Sequence, residues 1–230
     1  MSRSIQKIPL DDWSNLCYDI VILKNTYKPA KSTDTRQQIL DVAKTIILGK
    51  GFSAVGLNEI LTSANVPKGS FYHYFSSKEA FGSALLDHYF DDYTSKLAQN
   101  LQDNTLTPAQ RLLAYFSYWL ETQSSDTTKD KCLVVKLSAE VTDLSESMRI
   151  SLKNGTQRVV DILQVCVQEG IDAGNFLQNE SAEVAAKELY YMWLGATLIT
   201  KVQHTRDALQ CAMHATEKRL NFTTANYIKH

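Results

Sequence analysis

Apolar residues recur every three or four positions along most of the chain after residue 32, the spacing of one buried helix face. Three stretches show this period clearly: Ile39, Leu40, Ala43, Ile46 and Ile47; Leu112, Tyr115, Phe116 and Trp119; and Val159, Ile162, Leu163, Cys166 and Val167. Glycine and proline are scarce, at 9 and 4 residues, and no β-type alternation is sustained. The pattern therefore predicts an all-α fold.

Helix start and stop signals divide this pattern into separate elements. Thr33 or Asp34 can cap a first helix that ends near residues 49–51. Pro67 disfavours helix at the residue before it and suits the first turn of the next one. It therefore separates two short helices, at about 57–64 and 67–75. Ser77 then caps a long fourth helix that reaches about residue 101, and further helices are predicted at about 108–123, 132–141, 145–173, 181–203 and 206–220.

Charge is distributed unevenly along the chain. Of 24 basic and 25 acidic residues, ten and six lie in residues 1–78, so this part carries +4 and the remainder carries −5. A basic front joined to an acidic remainder indicates one end that faces a polyanion. Residues 1–31 have no clean period and are predicted to be a poorly ordered extension.

The remaining composition narrows the class of protein. No apolar stretch reaches the ~20 residues of a membrane span, and no secretory signal opens the chain, so a cytoplasmic protein without a membrane partner is expected. The four cysteines form no CxxC pair, which favours free thiols over disulfides or zinc. No nucleophile elbow, phosphate-binding glycine loop or paired-carboxylate pattern is present, so we expect no catalytic residues, no metal and no cofactor.

The order of helix, short helix, tight turn and second short helix predicts a helix-turn-helix. Its second short helix must enter the DNA major groove, which is ~12 Å wide. If Phe71 and Phe75 pack inward, the polar outer face of this helix consists of Lys68, Ser70, Tyr72 and His73. Lys68 and Lys78 bring charge to phosphates, and Gly69 lets the backbone approach DNA. The alternative is that the aromatic residues are only core and the charges only a solvated face.

The stretch VPKGSFYHYFSSKEAF (Val66–Phe81) resembles the signature of the TetR family of bacterial repressors, within a similarity that covers 35–81. The resemblance implies a helix-turn-helix DNA-binding domain at 32–78 and a ligand-sensing and dimerisation domain at 79–230. It further implies that Tyr72 and Lys78 hold phosphates, that Asn58 reaches the groove, and that four residues lie against base edges or backbone: Lys68, Gly69, Ser70 and His73.

Binding to double-stranded operator DNA requires two such motifs about one helical turn apart, which predicts a homodimer. The last long helices carry more apolar residues than one core stripe needs. The interface candidates are Val159, Ile162, Leu163, Val167, Leu189, Met192, Trp193, Ala196 and Leu198. The alternative is that these residues belong to the core of a single chain.

Two further stretches, CLVVKLSAEVTDLSESMR (Cys132–Arg149) and WLGATLITK (Trp193–Lys201), resemble the NemR-type branch of the family. Repressors of this branch control reductase operons that detoxify electrophiles, and the resemblance implies that Cys132 is the reactive residue. Independently, Cys132 stands at a helix start, where the helix dipole lowers a thiol pKa. Lys201 stands in an apolar helical run, so we expect it to face inward and to neighbour Cys132.

Two alternatives to a thiol sensor remain open. Cys132 can be a small buried hydrophobe, which is the commonest role of a free cysteine. The protein can instead be a repressor that binds a reversible apolar ligand, in a cavity lined by the aromatic residues Tyr115, Trp119, Tyr190, Tyr191 and Trp193. Either way the small-molecule partner is expected to be a reactive electrophile or an apolar ligand.

Overall fold

The computed structural model describes residues 35–125, 131–174, 176 and 181–220. All regular secondary structure within these residues is α-helical, which confirms the predicted fold class. The helices are α1 (Thr35–Lys50), α2 (Leu57–Ser63), α3 (Lys68–Tyr74), α4 (Lys78–Leu101), α5 (Pro108–Ser124), α6 (Leu133–Leu144), α7 (Glu146–Asp172), α8 (Ala182–Gln203) and α9 (Asp207–Arg219). The predicted cap at Thr33 or Asp34 and the predicted extension 1–31 lie outside the described residues.

The first three helices form a small unit around the beginning of α4. Phe71 on α3 packs its ring 5.1 Å from that of Phe75 and 5.4 Å from that of Phe81, measured between centroids. All three rings are buried, so the aromatic run fixes α3 against α4. Ser77 caps α4 as predicted, because its hydroxyl accepts a hydrogen bond from the backbone N–H of Ala80 at 3.0 Å.

The long helix α4 continues from this unit into the second part of the molecule, where α7 packs closely against it. The close approach occurs at Gly155, where a Cβ atom would come within 2.0 Å of the Phe90 ring. A second close approach involves Gly82, whose added Cβ would meet the Met148 side chain at 2.5 Å. Glycine at these two positions lets the two helix backbones approach each other more closely than any side chain allows.

Helices α5 to α9 enclose an aromatic core. The rings of Phe116 and Trp193 stack with centroids 4.8 Å apart. Each buried indole finds a hydroxyl: Trp119 Nε1 donates to Thr197 Oγ1 at 2.8 Å, and Trp193 Nε1 donates to Thr216 Oγ1 at 3.0 Å. These bonds remove the cost of burying indole N–H groups and fix α5 and α9 against α8.

The structure corrects part of the predicted dimer interface. Five of the candidates lie inside the core of the single chain, each with an exposed fraction of 0%: Val159, Leu163, Val167, Leu189 and Trp193. They are buried because α7 and α8 pack against each other and against α4 and α9. Of the other candidates, Leu198 is exposed, and it is joined on these two helices by exposed apolar residues that were not predicted: Ile150, Val165, Val184, Tyr191, Ile199 and Val202. In the part of the chain that is described, no helix is both long and apolar enough for a bilayer crossing.

Candidate DNA-binding surface and thiol site

Helix α3 presents its polar residues to solvent. Lys68, Gly69 and His73 are exposed, and Tyr72 keeps 56% of its surface accessible. The cause is the helical period, because the anchor Phe71 takes the inner side of a seven-residue helix and forces its neighbours outward. This is the exposed face that the sequence predicts for a groove-reading helix.

The other predicted DNA-contacting residues lie around this helix. Ser70 is partly buried, and Asn58 is exposed on the first turn of α2. The sequence analysis missed Tyr74, which is 37% exposed and whose ring centroid lies 4.9 Å from that of His73. The prediction assigned Phe71 and Phe75 to the core and Tyr72 and His73 to the outer face, and it gave Tyr74 no place.

Lys78 lies differently from the other predicted contacts. Its ammonium donates to the Val55 carbonyl at 3.0 Å and lies 5.0 Å from the centroid of the Phe52 ring. Lys78 therefore ties the start of α4 to the turn between α1 and α2. A lysine ammonium has three donors, so this bond leaves N–H groups for a phosphate.

Helix α6 is hydrogen-bonded directly to the end of α1 and to the turn that follows it. Lys136 donates to the Gly49 carbonyl at 3.2 Å, and the Glu140 carboxylate accepts the backbone N–H groups of Phe52, at 3.1 Å, and Ser53. Burial acts to raise the pKa of the Glu140 carboxyl, but these hydrogen bonds and the Lys136 charge outweigh it and lower that pKa. Gly51 has a φ of +94°, which allows the tight turn that Glu140 caps.

Cys132 is the residue that immediately precedes α6, and it is only partly buried. The predicted lowering of its pKa is wrong in net direction, because burial raises the pKa of the thiol. Several groups act in the opposite direction. The backbone N–H groups of Val135 and Val134 approach the sulfur, although no capping hydrogen bond forms, and the Tyr89 hydroxyl and the Lys201 charge also lower the pKa.

Lys201 lies on the surface of α8, so the prediction that it faces inward is also wrong. The apolar residues around it, Leu198 and Val202, are exposed themselves, because this part of α8 faces away from the core. Partial burial nevertheless lowers the pKa of the Lys201 ammonium, Lys136 acts in the same direction, and Cys132 opposes them. The structure thus brings Cys132 and Lys201 within electrostatic range.

Buried and partly buried tyrosines lie in the interior near Cys132. The hydroxyls of Tyr93 and Tyr115 lie 2.6 Å apart, and the Tyr89 ring stacks on that of Tyr93 with centroids 5.8 Å apart. Burial raises the pKa of all three phenols. Tyr190 is buried as well, whereas Tyr191 is 56% exposed and so is not part of the predicted aromatic lining. Sequence reasoning missed Tyr89 and Tyr93, although their spacing of four on α4 could have indicated one shared face.

Of the other thiols, Cys166 is placed for packing. Cys166 is buried, and burial raises the pKa of its thiol to about 12, so it stays protonated. Cys211 is exposed on α9, and Cys17 lies outside the described residues. Within those residues, no group of three or more histidine, cysteine or acidic side chains is arranged to hold a metal ion.

A helix-turn-helix head on a helical bundle defines a class of DNA-binding regulators, and comparison with known proteins identifies the family. Residues 39–85 match the family described as bacterial regulatory proteins, tetR family, and residues 108–216 match the tetracyclin repressor-like C-terminal domain. The chain therefore belongs to the TetR family of transcriptional repressors, and it is not an enzyme.

Two curated relatives and one solved structure show which members of the family this chain is similar to. The chain is 39% identical over 186 residues to the transcriptional repressor NemR of Escherichia coli, covering 78% of this chain and 90% of that protein. It is 32% identical over 177 residues to the repressor DhaR of Mycobacterium sp., covering 77% and 87%. The crystal structure of reduced E. coli NemR superposes with a TM-score of 0.77 at 38% identity, covering 81% of this chain and 96% of that one.

Proposed function

We propose that this repressor leaves its operator when a small electrophile or oxidant reacts with the Cys132 thiol. The observation that carries the proposal is the position of Cys132 at the start of α6, the helix whose Lys136 and Glu140 are hydrogen-bonded to the DNA-binding unit. The 39% identity to NemR supports it, together with the resemblance of the two stretches around Cys132 and Lys201 to that branch.

On the DNA side, two copies of α3 enter major grooves about one helical turn apart, so the working form is a homodimer. The exposed apolar residues of α7 and α8 form a surface suited to the partner copy, since an isologous interface buries the same patch on both subunits. Tyr72 and Lys78 hold phosphates, while Lys68, Gly69, Ser70 and His73 meet base edges or backbone, with Asn58 beside them. Such a repressor acts in the cytoplasm, where the operator DNA lies.

The chemistry at Cys132 has two forms. A Michael acceptor forms a carbon–sulfur bond with the thiolate, and a proton from solvent goes to the carbon next to the activating group. A peroxide or hypohalous acid instead oxidises the thiol to a sulfenic acid, and the Lys201 amine then forms a sulfur–nitrogen bond with loss of water. Both products remove the thiolate and change the packing at the start of α6.

The change reaches the DNA-binding unit through α6. Lys136 lies one helical turn beyond Cys132, and Glu140 lies one turn further, so both side chains move with the helix start. They bind the backbone of residues 49–53, and Lys78 binds Val55 from the other side. A shift of α6 therefore displaces the turn that orients α2 and α3.

The direct test is operator release from wild-type protein and from Cys132→Ser. Treatment with N-ethylmaleimide should weaken wild-type operator binding by roughly 5- to 150-fold, the usual range of an allosteric coupling. The serine variant should bind the operator normally and keep its affinity after treatment, as measured by fluorescence anisotropy. Cys211→Ser, which removes the exposed thiol of α9, is the matched control and should respond like wild type. Normal release from Cys132→Ser would contradict the proposal.

The raised pKa of Cys132 gives a pH prediction. Because burial keeps the thiol protonated at neutral pH, the reactive thiolate fraction increases about tenfold per pH unit until the pKa is reached. The second-order rate constant for alkylation should therefore rise about a hundredfold between pH 6 and pH 8. Stopped-flow measurements with Cys17, Cys166 and Cys211 replaced by serine would report this residue alone. A rate that is flat above pH 7 would show that the thiol is already ionised and would contradict the assigned direction.

A second candidate function is induction by a reversible apolar ligand. The raised pKa of Cys132 and the partly buried Tyr93–Tyr115 hydroxyl pair favour it, because an apolar interior with a few polar groups is typical of a ligand site. Recovery of operator binding on dialysis without reductant would support this candidate. If operator binding recovers only with a thiol reductant, or does not recover, the result would support reaction at Cys132.

A further inference from the structure

The turn that joins α2 to α3 has a defined backbone geometry. The N–H of Asn65 donates to the Thr62 carbonyl at 3.1 Å, and the N–H of Val66 donates to the Leu61 carbonyl at 2.9 Å. These two bonds form a Schellman motif, in which the residue after the helix cap adopts a left-handed conformation. Asn65 is that residue, with a φ of +53°. The motif ends α2 and sets the direction in which the chain enters α3.

The carbonyl of Ala64, the residue that caps the end of α2, is not used by either bond of this motif. It accepts instead from the side-chain amide of Gln38, on α1, at 2.7 Å. Ala64 has an exposed fraction of 1%, so its carbonyl has little access to water and depends on this partner. Gln38 is exposed and lies 26 positions earlier in the chain, so helix α1 places its amide for the bond.

Helix α1 gives this amide a fixed base. Ile39 and Leu40, which follow Gln38, both have an exposed fraction of 0%, so this part of α1 is anchored in the core. Further along α1, the Lys44 ammonium lies 3.7 Å from the Asp92 carboxylate of α4. Gln38 therefore connects the turn before α3 to a helix whose own position is set by packing.

The other attachment of α3 lies further along the helix. Phe71, in the middle of α3, packs against the rings of Phe75 and Phe81. A helix held at one ring can still pivot about that ring. The bond from Gln38 holds the turn at the N-terminal end, and two points of attachment define the direction of a seven-residue helix.

We propose that Gln38 is a positioning residue for DNA recognition: its bond to the Ala64 carbonyl fixes the direction of α3, and so the alignment of the α3 side chains with base edges. The inference deepens the DNA-binding part of the proposed function and rests on it. Hydrogen bonds to bases weaken steeply when their angles are distorted, whereas the attraction between lysines and phosphates depends mainly on charge. Loss of the Gln38 bond should therefore reduce discrimination between DNA sequences and leave sequence-independent binding intact.

The experiment compares Gln38→Met with Gln37→Met. The readout is the ratio of the affinities for an operator selected from genomic fragments and for a random duplex, measured by fluorescence anisotropy at fixed salt concentration. Gln38→Met keeps the length of the side chain and removes the donor, so operator affinity should fall about 5- to 20-fold, the cost of weakening one base contact, while random-duplex affinity stays within about twofold. Gln37→Met removes the neighbouring amide, which lies 2.6 Å from His88 of α4, and should keep the wild-type ratio.

A third variant, Gln38→Lys, restores a donor at the same place. An ammonium is favoured near the C-terminal end of α2, where the helix dipole is negative, so the ratio should return to within about threefold of wild type. Partial unfolding lowers both affinities alike, so the ratio separates positioning from a loss of stability.

Three results would overturn the positioning role: a wild-type ratio or equal losses on both duplexes in Gln38→Met, no recovery in Gln38→Lys, or an equal fall of the ratio in Gln37→Met. Failure of the proposed DNA binding is distinct, because the wild-type protein itself would then not distinguish the operator from a random duplex.

Discussion

Replacement of both Tyr72 and His73 by alanine should weaken operator binding on the order of a thousandfold while leaving the fold intact. Each side chain is exposed on α3, where a base or phosphate contact contributes about 1–3 kcal/mol to binding. Neither side chain is part of the buried core, so the variant should melt within a few degrees of wild type. The loss of affinity would then report contact with DNA, not instability.

The measurement is the affinity for an operator that wild-type protein selects from genomic fragments, at fixed salt concentration. His214→Ala removes an exposed histidine from α9, far along the chain from α3, and should bind like wild type. Binding of a random duplex should be weak for all three proteins. If the double variant keeps wild-type affinity for the selected operator, α3 is not the groove-reading helix.

The exposed face of α3 is the part of the candidate site that was best predicted from sequence. A seven-residue helix between Pro67 and Phe75 has few ways to bury Phe71 and Phe75, so its exposed residues follow from local spacing alone. The contacts of Lys78 were harder to predict, because its hydrogen-bond partner Val55 lies 23 residues earlier in the chain and its cation–π contact is with Phe52. Contacts of that kind depend on how α4 meets the turn between α1 and α2, which no local pattern encodes.

The sequence correctly placed Cys132 at the start of a helix but gave the wrong direction for the shift of its pKa. The start of α6 at Leu133 follows from local periodicity, and so does the contribution of nearby N–H groups to the Cys132 pKa. Burial, which determines the net direction of the pKa shift, comes from tertiary packing, and Tyr89, whose hydroxyl helps to lower the pKa of the thiol, lies 43 positions earlier in the sequence. Lys201 was misplaced for a related reason. An apolar run on a helix can face a core or a partner subunit, and sequence period alone does not distinguish the two.

The same ambiguity between a core face and an interface face explains why part of the predicted dimer interface was wrong. Val159 and Leu189 have the apolar periodicity expected of a four-helix dimer bundle, yet both are enclosed by their own chain. What remains exposed, including Leu198 and Val202, lies on the other side of α8 and comprises fewer residues than the sequence suggested. Two apolar faces on one helix produce a dense pattern in which core and interface positions alternate.

Gly155→Ala should lower the free energy of unfolding by about 3 kcal/mol, because α4 and α7 pack too closely at this point to admit a methyl group. The added Cβ would come within 2.0 Å of the Phe90 ring, which is 1% exposed and has no free space to move into. Overpacking usually costs about 1–3 kcal/mol and occasionally more, and an approach of 2.0 Å to a buried ring puts this site at about 4 kcal/mol. The helix preference for alanine offsets about 1 kcal/mol of that cost. The melting temperature should fall by about 6–12 °C.

Gly49→Ala is the matched control, since an added Cβ at Gly49 meets nothing within 4 Å and the residue also lies in a helix, α1. There the substitution should leave stability unchanged or raise it by up to about 1 kcal/mol, measured by the same thermal and denaturant unfolding. The opposite signs matter for the proposed function, because α4 begins at its Ser77 cap beside α3 and carries Tyr89, whose hydroxyl helps to lower the pKa of the Cys132 thiol. If Gly155→Ala melted like wild type, the close approach of α4 and α7 would not exist, and the rigid support on which both ends of the sensor depend would have to lie elsewhere.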